Sequence, residues 1–180
     1  MKLKVVVSLL AFVSLFAVAA QAQEGRQRVE VFAGYSYVRA NPSTSTNGFS
    51  LNGGSASVSY NVNNWLSGVA DFGGYTNTNI FGSGRDGTLS TYLFGPRVTY
   101  RRFRRVTPFG EVLFGVGYQS DKGGGISNSD LTFASAFGGG VDYTLLPAVA
   151  LRAQAHSVHT SFFGGSQYNF RLSGGIVFRF

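Results

Sequence analysis

Ion pairing is the first chemistry this sequence offers. Arg97 and Glu111 flank a basic segment, RRFRR (Arg101, Arg102, Phe103, Arg104, Arg105), and Asp142 and Arg152 flank Thr144 to Pro147 in the same way. If each flanked segment is a turn between adjacent strands, the two members of each couple stand at similar heights and close enough to pair. Glu30, Asp71 and Arg171 fall on the same side of their own segments and extend the set. Such a set has two readings: ion pairs that fill a narrow interior, or a gate or proton path through it.

Histidine chemistry is the second possibility. His156 and His159 are three apart, so in a strand they face opposite sides and cannot share a metal ion. The chain has no cysteine, which removes thiolate ligands, disulfides and thiol catalysis. No metal site and no cofactor is expected. His159 and Ser161 do share a parity. The string GSGRDG (Gly82 to Gly87) fits a dinucleotide fingerprint by spelling alone; it neither follows a βαβ strand nor opens a helix, and reads as a loop.

The elements that must position these residues are strands. Period-two alternation recurs in eight segments, at 29–37, 56–60, 66–72, 92–100, 112–118, 133–143, 149–155 and 168–180, and in each one parity carries the large apolar residues. The other parity holds Glu30, Asp71, Arg97, Glu111, Asp142, Arg152, Arg171 and Arg179 among serines and glycines. A soluble sandwich or lipocalin-like barrel would bury the large apolar set and scatter Lys and Glu outward. Small residues with charges of both signs suit instead a narrow interior in which groups must fit and pair. The linkers are mostly long and short in turn: 40–48, 61–64, 76–87, 101–107, 119–129, 144–147 and 161–167. An even number of segments of about ten residues with this spacing predicts a closed antiparallel transmembrane barrel, an up-and-down meander of eight strands. Closure is required because hydrocarbon cannot satisfy free strand edges. Tyr60, Tyr100 and Tyr143 next to the short turns, and Tyr37, Tyr92, Tyr118 and Tyr168 next to the long loops, supply two aromatic girdles. Pro96 cannot donate to a ladder, and a bulge beside Gly95 is expected there.

The N-terminus bears on compartment. Lys2 and Lys4 precede an apolar run from Val5 to Ala20, and Ala20-Gln21-Ala22 is a small-x-small cleavage pattern, so residues 1–22 are expected to be a signal peptide cut after Ala22, with the barrel domain over 23–180. The run falls short of the roughly 20 apolar residues a spanning helix needs. The 15 basic residues exceed the 8 acidic ones. Nucleic acid is a poor counter-charge for an exported chain; anionic lipid is a better one. Arg101, Arg102, Arg104 and Arg105 are therefore expected to meet lipid phosphates or, on the alternative reading, solvent.

From Gln27 to Phe180 the chain resembles the OmpA-like eight-stranded outer-membrane barrels of Gram-negative bacteria. The resemblance is carried by YLFGPRVTY (Tyr92 to Tyr100), VTPFGEVLFGVGY (Val106 to Tyr118), FGGGVDY (Phe137 to Tyr143) and the terminal FRLSGGIVFRF. It implies a bacterial outer-membrane location, contact with outer-membrane lipids, and reading of Tyr168, Phe170, Leu172, Ile176, Phe178 and Phe180 by the barrel-assembly machinery as an insertion signal. Because such barrels host pores, anchors, adhesins and enzymes, it does not imply one activity. The chain departs from the two-domain members by stopping at the barrel, so no periplasmic peptidoglycan-binding domain is expected. An outward His159-x-Ser161 late in the barrel also resembles the lipid A deacylases, where the histidine is base, the serine nucleophile, and an acid on the following strand orients the histidine. No Asp or Glu follows Asp142, so that third member is missing. The expectation is a non-enzymatic structural or interaction protein with a packed polar lumen and surface loops that meet an extracellular partner; a narrow pore is the alternative, and a lipid A hydrolase a more remote one.

Overall fold

The strands close on themselves. In the computed structural model, which describes residues 27–40, 49–78, 86–123, 126–160 and 167–180, eight strands run β1 Val29–Ala40, β2 Phe49–Asn61, β3 Leu66–Thr78, β4 Asp86–Thr99, β5 Val106–Gly123, β6 Ile126–Leu146, β7 Val149–Thr160 and β8 Gln167–Arg179. Each pairs antiparallel with the next, and β1 pairs with β8 from Glu30↔Arg179 to Arg39↔Phe170, so no edge is left. The expected signal peptide and the connections at 41–48, 79–85, 124–125 and 161–166 lie outside the described residues.

The alternation that defines the strands also sorts the two faces. Along β7 every second residue is buried while its neighbours are exposed or half-buried. The outward parity carries Tyr92, Phe94, Phe114, Phe133, Phe137, Leu151 and Phe178, all exposed large side chains on a protein whose buried set includes Arg97, Glu111, Arg152 and Arg171. That inversion of the usual arrangement is what a hydrocarbon solvent selects. Outward rings pack on each other within the belt: Phe72 meets Tyr92 and Phe94 edge-on at 6.1 Å, and Phe114 stacks with Phe133 at 6.5 Å.

Three features differ from the reading of the sequence. First, β5 and β6 are 18 and 21 residues long, and the linker expected at 119–129 is mostly ladder. Backbone pairing needs no apolar side chain, so strands can outrun the stretch whose hydrophobic alternation reveals them. Second, no bulge accompanies Pro96. The β4–β5 register is unchanged between Phe94↔Phe114 and Arg97↔Glu111, while Gly95 and Pro96 keep their β3 partners and lose only their β5 ones. The proline's missing donor is thus absorbed as a gap in one ladder. Gly95 lies so close to β5 that a Cβ there would overlap the Val112 carbonyl oxygen, a close approach only glycine allows. The register shift falls elsewhere, between Thr144 and Leu146. Third, the inward face is less polar than serine, glycine and charge would make it. Val38, Leu51, Tyr75 and Leu89 form one buried cluster, and Val69, Leu93, Leu113, Ala134, Ala136 and Val158 another; Phe32, Ala150 and Val177 form a third.

Candidate functional site within the barrel lumen

Inward charges gather in two groups. In the lower one, nearer the short turns and the C-terminus, Arg152 donates through Nε and Nη2 to the two oxygens of Asp142 at 2.7 and 2.8 Å, across the β6–β7 hairpin. Its Nη2 also reaches Glu30 Oε2 on β1 at 3.2 Å. Arg179, absent from the set singled out by pairing across turns, binds Asp142 Oδ2 at 2.9 Å and approaches Glu30 at 3.6 Å. Arg101 also belongs here: instead of pointing from the RRFRR turn to lipid or bulk solvent, it folds back to Glu30 Oε1 at 3.0 Å. Two carboxylates thus hold three guanidinium groups.

The middle group is built around Glu111. Arg97 Nε donates to Glu111 Oε2 at 2.7 Å, and His156 Nε2 lies 2.7 Å from Oε1. Arg171 Nη2 stands 3.2 Å from His156 Nδ1, and its Nη1 donates to Asp71 at 2.6 Å and to Tyr75 Oη at 3.1 Å. A guanidinium can only donate, so Nδ1 must accept and the imidazole proton sits on Nε2, donated to Glu111. Both ring nitrogens are therefore used, and this histidine has no lone pair left for a metal. Sequence inspection finds no acid near His156 because its acid, Glu111, comes from two strands away around the barrel.

Phe109 joins the groups. The Arg97 and Arg152 guanidinium carbons lie 4.4 and 4.7 Å from its ring centroid, and Arg152 is also 5.5 Å from the Phe32 ring. The aromatic π-face gives each cation a second attraction that costs no further carboxylate. Tyr75 belongs to both the charged chain and the apolar cluster above it. Because its hydroxyl accepts from a buried cation, Tyr75→Phe is expected to cost about 1.5–3 kcal/mol in reversible urea unfolding from vesicles; no change would mean that bond carries no net stability.

His159, the candidate insertion row and the other arginines of RRFRR lie outside the lumen. His159 is half-buried, its ring 4.7 Å from that of Tyr168, and Ser161 lies outside the described residues. Tyr168, Phe170, Leu172, Ile176, Phe178 and Phe180 form an exposed outward row on and just after β8. Arg102, Arg104 and Arg105 are exposed.

With this geometry in view, the sequence profile of the outer membrane protein beta-barrel domain matches residues 8–180. The chain belongs to that family. It is an outer-membrane β-barrel protein, and the bacterial outer membrane is its location. No curated protein matches it by sequence. Among solved structures, the neisserial surface protein A (NspA) aligns over 87% of this chain and 100% of its own, with a TM-score of 0.74 at 19% identity. The attachment invasion locus protein Ail of Yersinia pestis aligns over 86% and 100%, with a TM-score of 0.61 at 17% identity. The N-terminal β-barrel domain of Pseudomonas aeruginosa OprF aligns over 87% and 100%, with a TM-score of 0.57 at 16% identity. At these identities the likeness is one of fold, and the outer-membrane β-barrel protein's own activity must be read from its own residues.

Proposed function

We propose that this protein is a non-enzymatic structural and interaction component of the outer membrane, a barrel with a closed lumen that serves to hold surface loops in place. The observation that carries the reading is the pair of apolar clusters across the interior, which between them draw side chains from β1 through β7. A hydrated ion would have to shed water against that layer, and an eight-stranded interior is only wide enough to be filled by side chains. Insertion is then the working mechanism: the outward row on β8 is read by the barrel-assembly machinery, and the apolar belt keeps the folded barrel among outer-membrane lipids. Meeting an extracellular partner through the loops is part of the proposal; Ail, a barrel of the same fold, is named for attachment and invasion.

A narrow pore is the second reading, and one observation favours it. Both polar atoms of the Gln154 side chain, Arg97 Nη1 and Arg152 Nη1 are buried and make no hydrogen bond to another protein group. Such atoms call for water, and a file of water is how a pore begins. Planar-bilayer recordings separate the two readings. The closed lumen predicts silence at low millivolt driving forces, whereas discrete, reproducible steps from the purified barrel would overturn it in favour of a pore.

A further inference from the structure

Among the described side chains, the exposed charge at the short-turn end is basic. Glu30 and Asp142, the carboxylate side chains of that end among the described residues, are buried and already bound by Arg101, Arg152 and Arg179. Asp86, Asp121 and Asp130 lie toward the opposite end, by the long connections. Among the described residues no carboxylate pairs with Arg102, Arg104 or Arg105.

Arg104 and Arg105 differ from Arg102 in what surrounds them. Together with Thr144, Leu145, Leu146 and Pro147 they line an open cavity of about 600 Å³ between the β4–β5 and β6–β7 turns. Hydrogen bonds tie its two turns together through Thr144. Thr144 N donates to the Arg105 carbonyl at 2.8 Å, and Arg179 Nη1 donates to Thr144 Oγ1 at 3.0 Å, leaving the hydroxyl its own proton to give. The register shift between Thr144 and Leu146 breaks the alternation, so that Leu145 and Leu146 are both exposed. One wall is thus cationic and the other aliphatic. Exposed Trp65, Tyr100 and Phe103 belong to the same end of the barrel, where aromatic side chains mark the level of lipid headgroups.

Short turns mark the periplasmic side of an outer-membrane barrel, and we propose that this cavity binds an acidic glycerophospholipid of the inner leaflet, with Arg104 and Arg105 on the phosphodiester and Leu145 and Leu146 against the first carbons of an acyl chain. Two guanidinium forks match phosphate oxygens in shape and charge. A soluble phosphate would use that half of the site alone; the leucines fit only an occupant that carries hydrocarbon.

Native mass spectrometry of the purified barrel, with phosphatidylglycerol or phosphatidylcholine added to the detergent, tests this. Wild-type protein is expected to retain phosphatidylglycerol in preference to phosphatidylcholine. Arg104→Ala/Arg105→Ala should retain it about tenfold less well, the loss of about 1.4 kcal/mol, and Leu145→Ser/Leu146→Ser should also weaken retention, while Arg102→Ala should behave as wild type. Heat-modified gel mobility shows that each variant is folded, and Arg104→Gln/Arg105→Gln replaces the alanine pair if that one is not. Equal retention of the two lipids, undiminished binding by the arginine variants, or full displacement by millimolar inorganic phosphate would each overturn the proposal.

Discussion

Replacing Glu111 by alanine is expected to destabilise the barrel by about 3–5 kcal/mol, the cost of leaving a buried cation without its counter-charge. Glu111 is where the middle group converges, since Arg97 and His156 both lie at 2.7 Å from it. Arg97 is 2% exposed and among the described residues forms no ion pair with another carboxylate, so the substitution takes away its ion-pair partner and leaves the Phe109 ring beside its guanidinium. The same change leaves the His156 Nε2 proton without its acceptor. Arg97→Ala should cost less, because Glu111 would keep the histidine bond. Exchanging the pair for shape-matched apolar residues, as in Arg97→Met/Glu111→Leu, should recover much of the loss, since no orphaned charge remains. Reversible urea unfolding in phospholipid vesicles reads all three, with Trp65, the one tryptophan of the chain, as reporter. If Glu111→Ala were no more costly than Arg97→Ala, the ordering derived from shared partners would be wrong.

The same geometry explains how far the sequence could be read. Arg97 with Glu111 and Asp142 with Arg152 are legible because a single turn joins the strands in each case, and alternation then gives both parity and height. Asp71 with Arg171, Glu30 with Arg152 and Glu111 with His156 join strands that are not consecutive in sequence or not adjacent in the barrel, 100, 122 and 45 residues apart. Their meeting depends on the tilt and stagger of the closed barrel, which no local pattern encodes. The apolar side chains inside are hard to read from the sequence for a related reason. Leu93 and Leu113 share a parity with Arg97 and Glu111, which places them in the lumen, but β4 and β5 carry large apolar residues on both parities, so the lumen-facing ones do not stand out. Arg101 is a third case: composition makes the four arginines of RRFRR alike, and only the nearby Glu30 carboxylate distinguishes one of them.

The outer face gives the other large expected effect. Phe114 stands opposite Phe94 in the β4–β5 ladder and stacks on Phe133, well inside the outward belt and away from either aromatic end. An arginine here has no lumen to turn into, because residues 113 and 115 take the inward parity, and its guanidinium would lie in hydrocarbon or drag headgroups and water toward it. Phe114→Arg is therefore expected to cost about 2–4 kcal/mol, the range for a basic side chain near the bilayer midplane. Phe103→Arg, on the exposed turn between β4 and β5 and beside Tyr100, should cost only about 0–1 kcal/mol, as near an interface. Measured side by side in the same vesicles, the two substitutions remove similar rings and add the same charge, so their difference isolates depth in the membrane. Equal costs would mean that Phe114 does not face lipid, and the outward assignment of the whole apolar parity would fall with it.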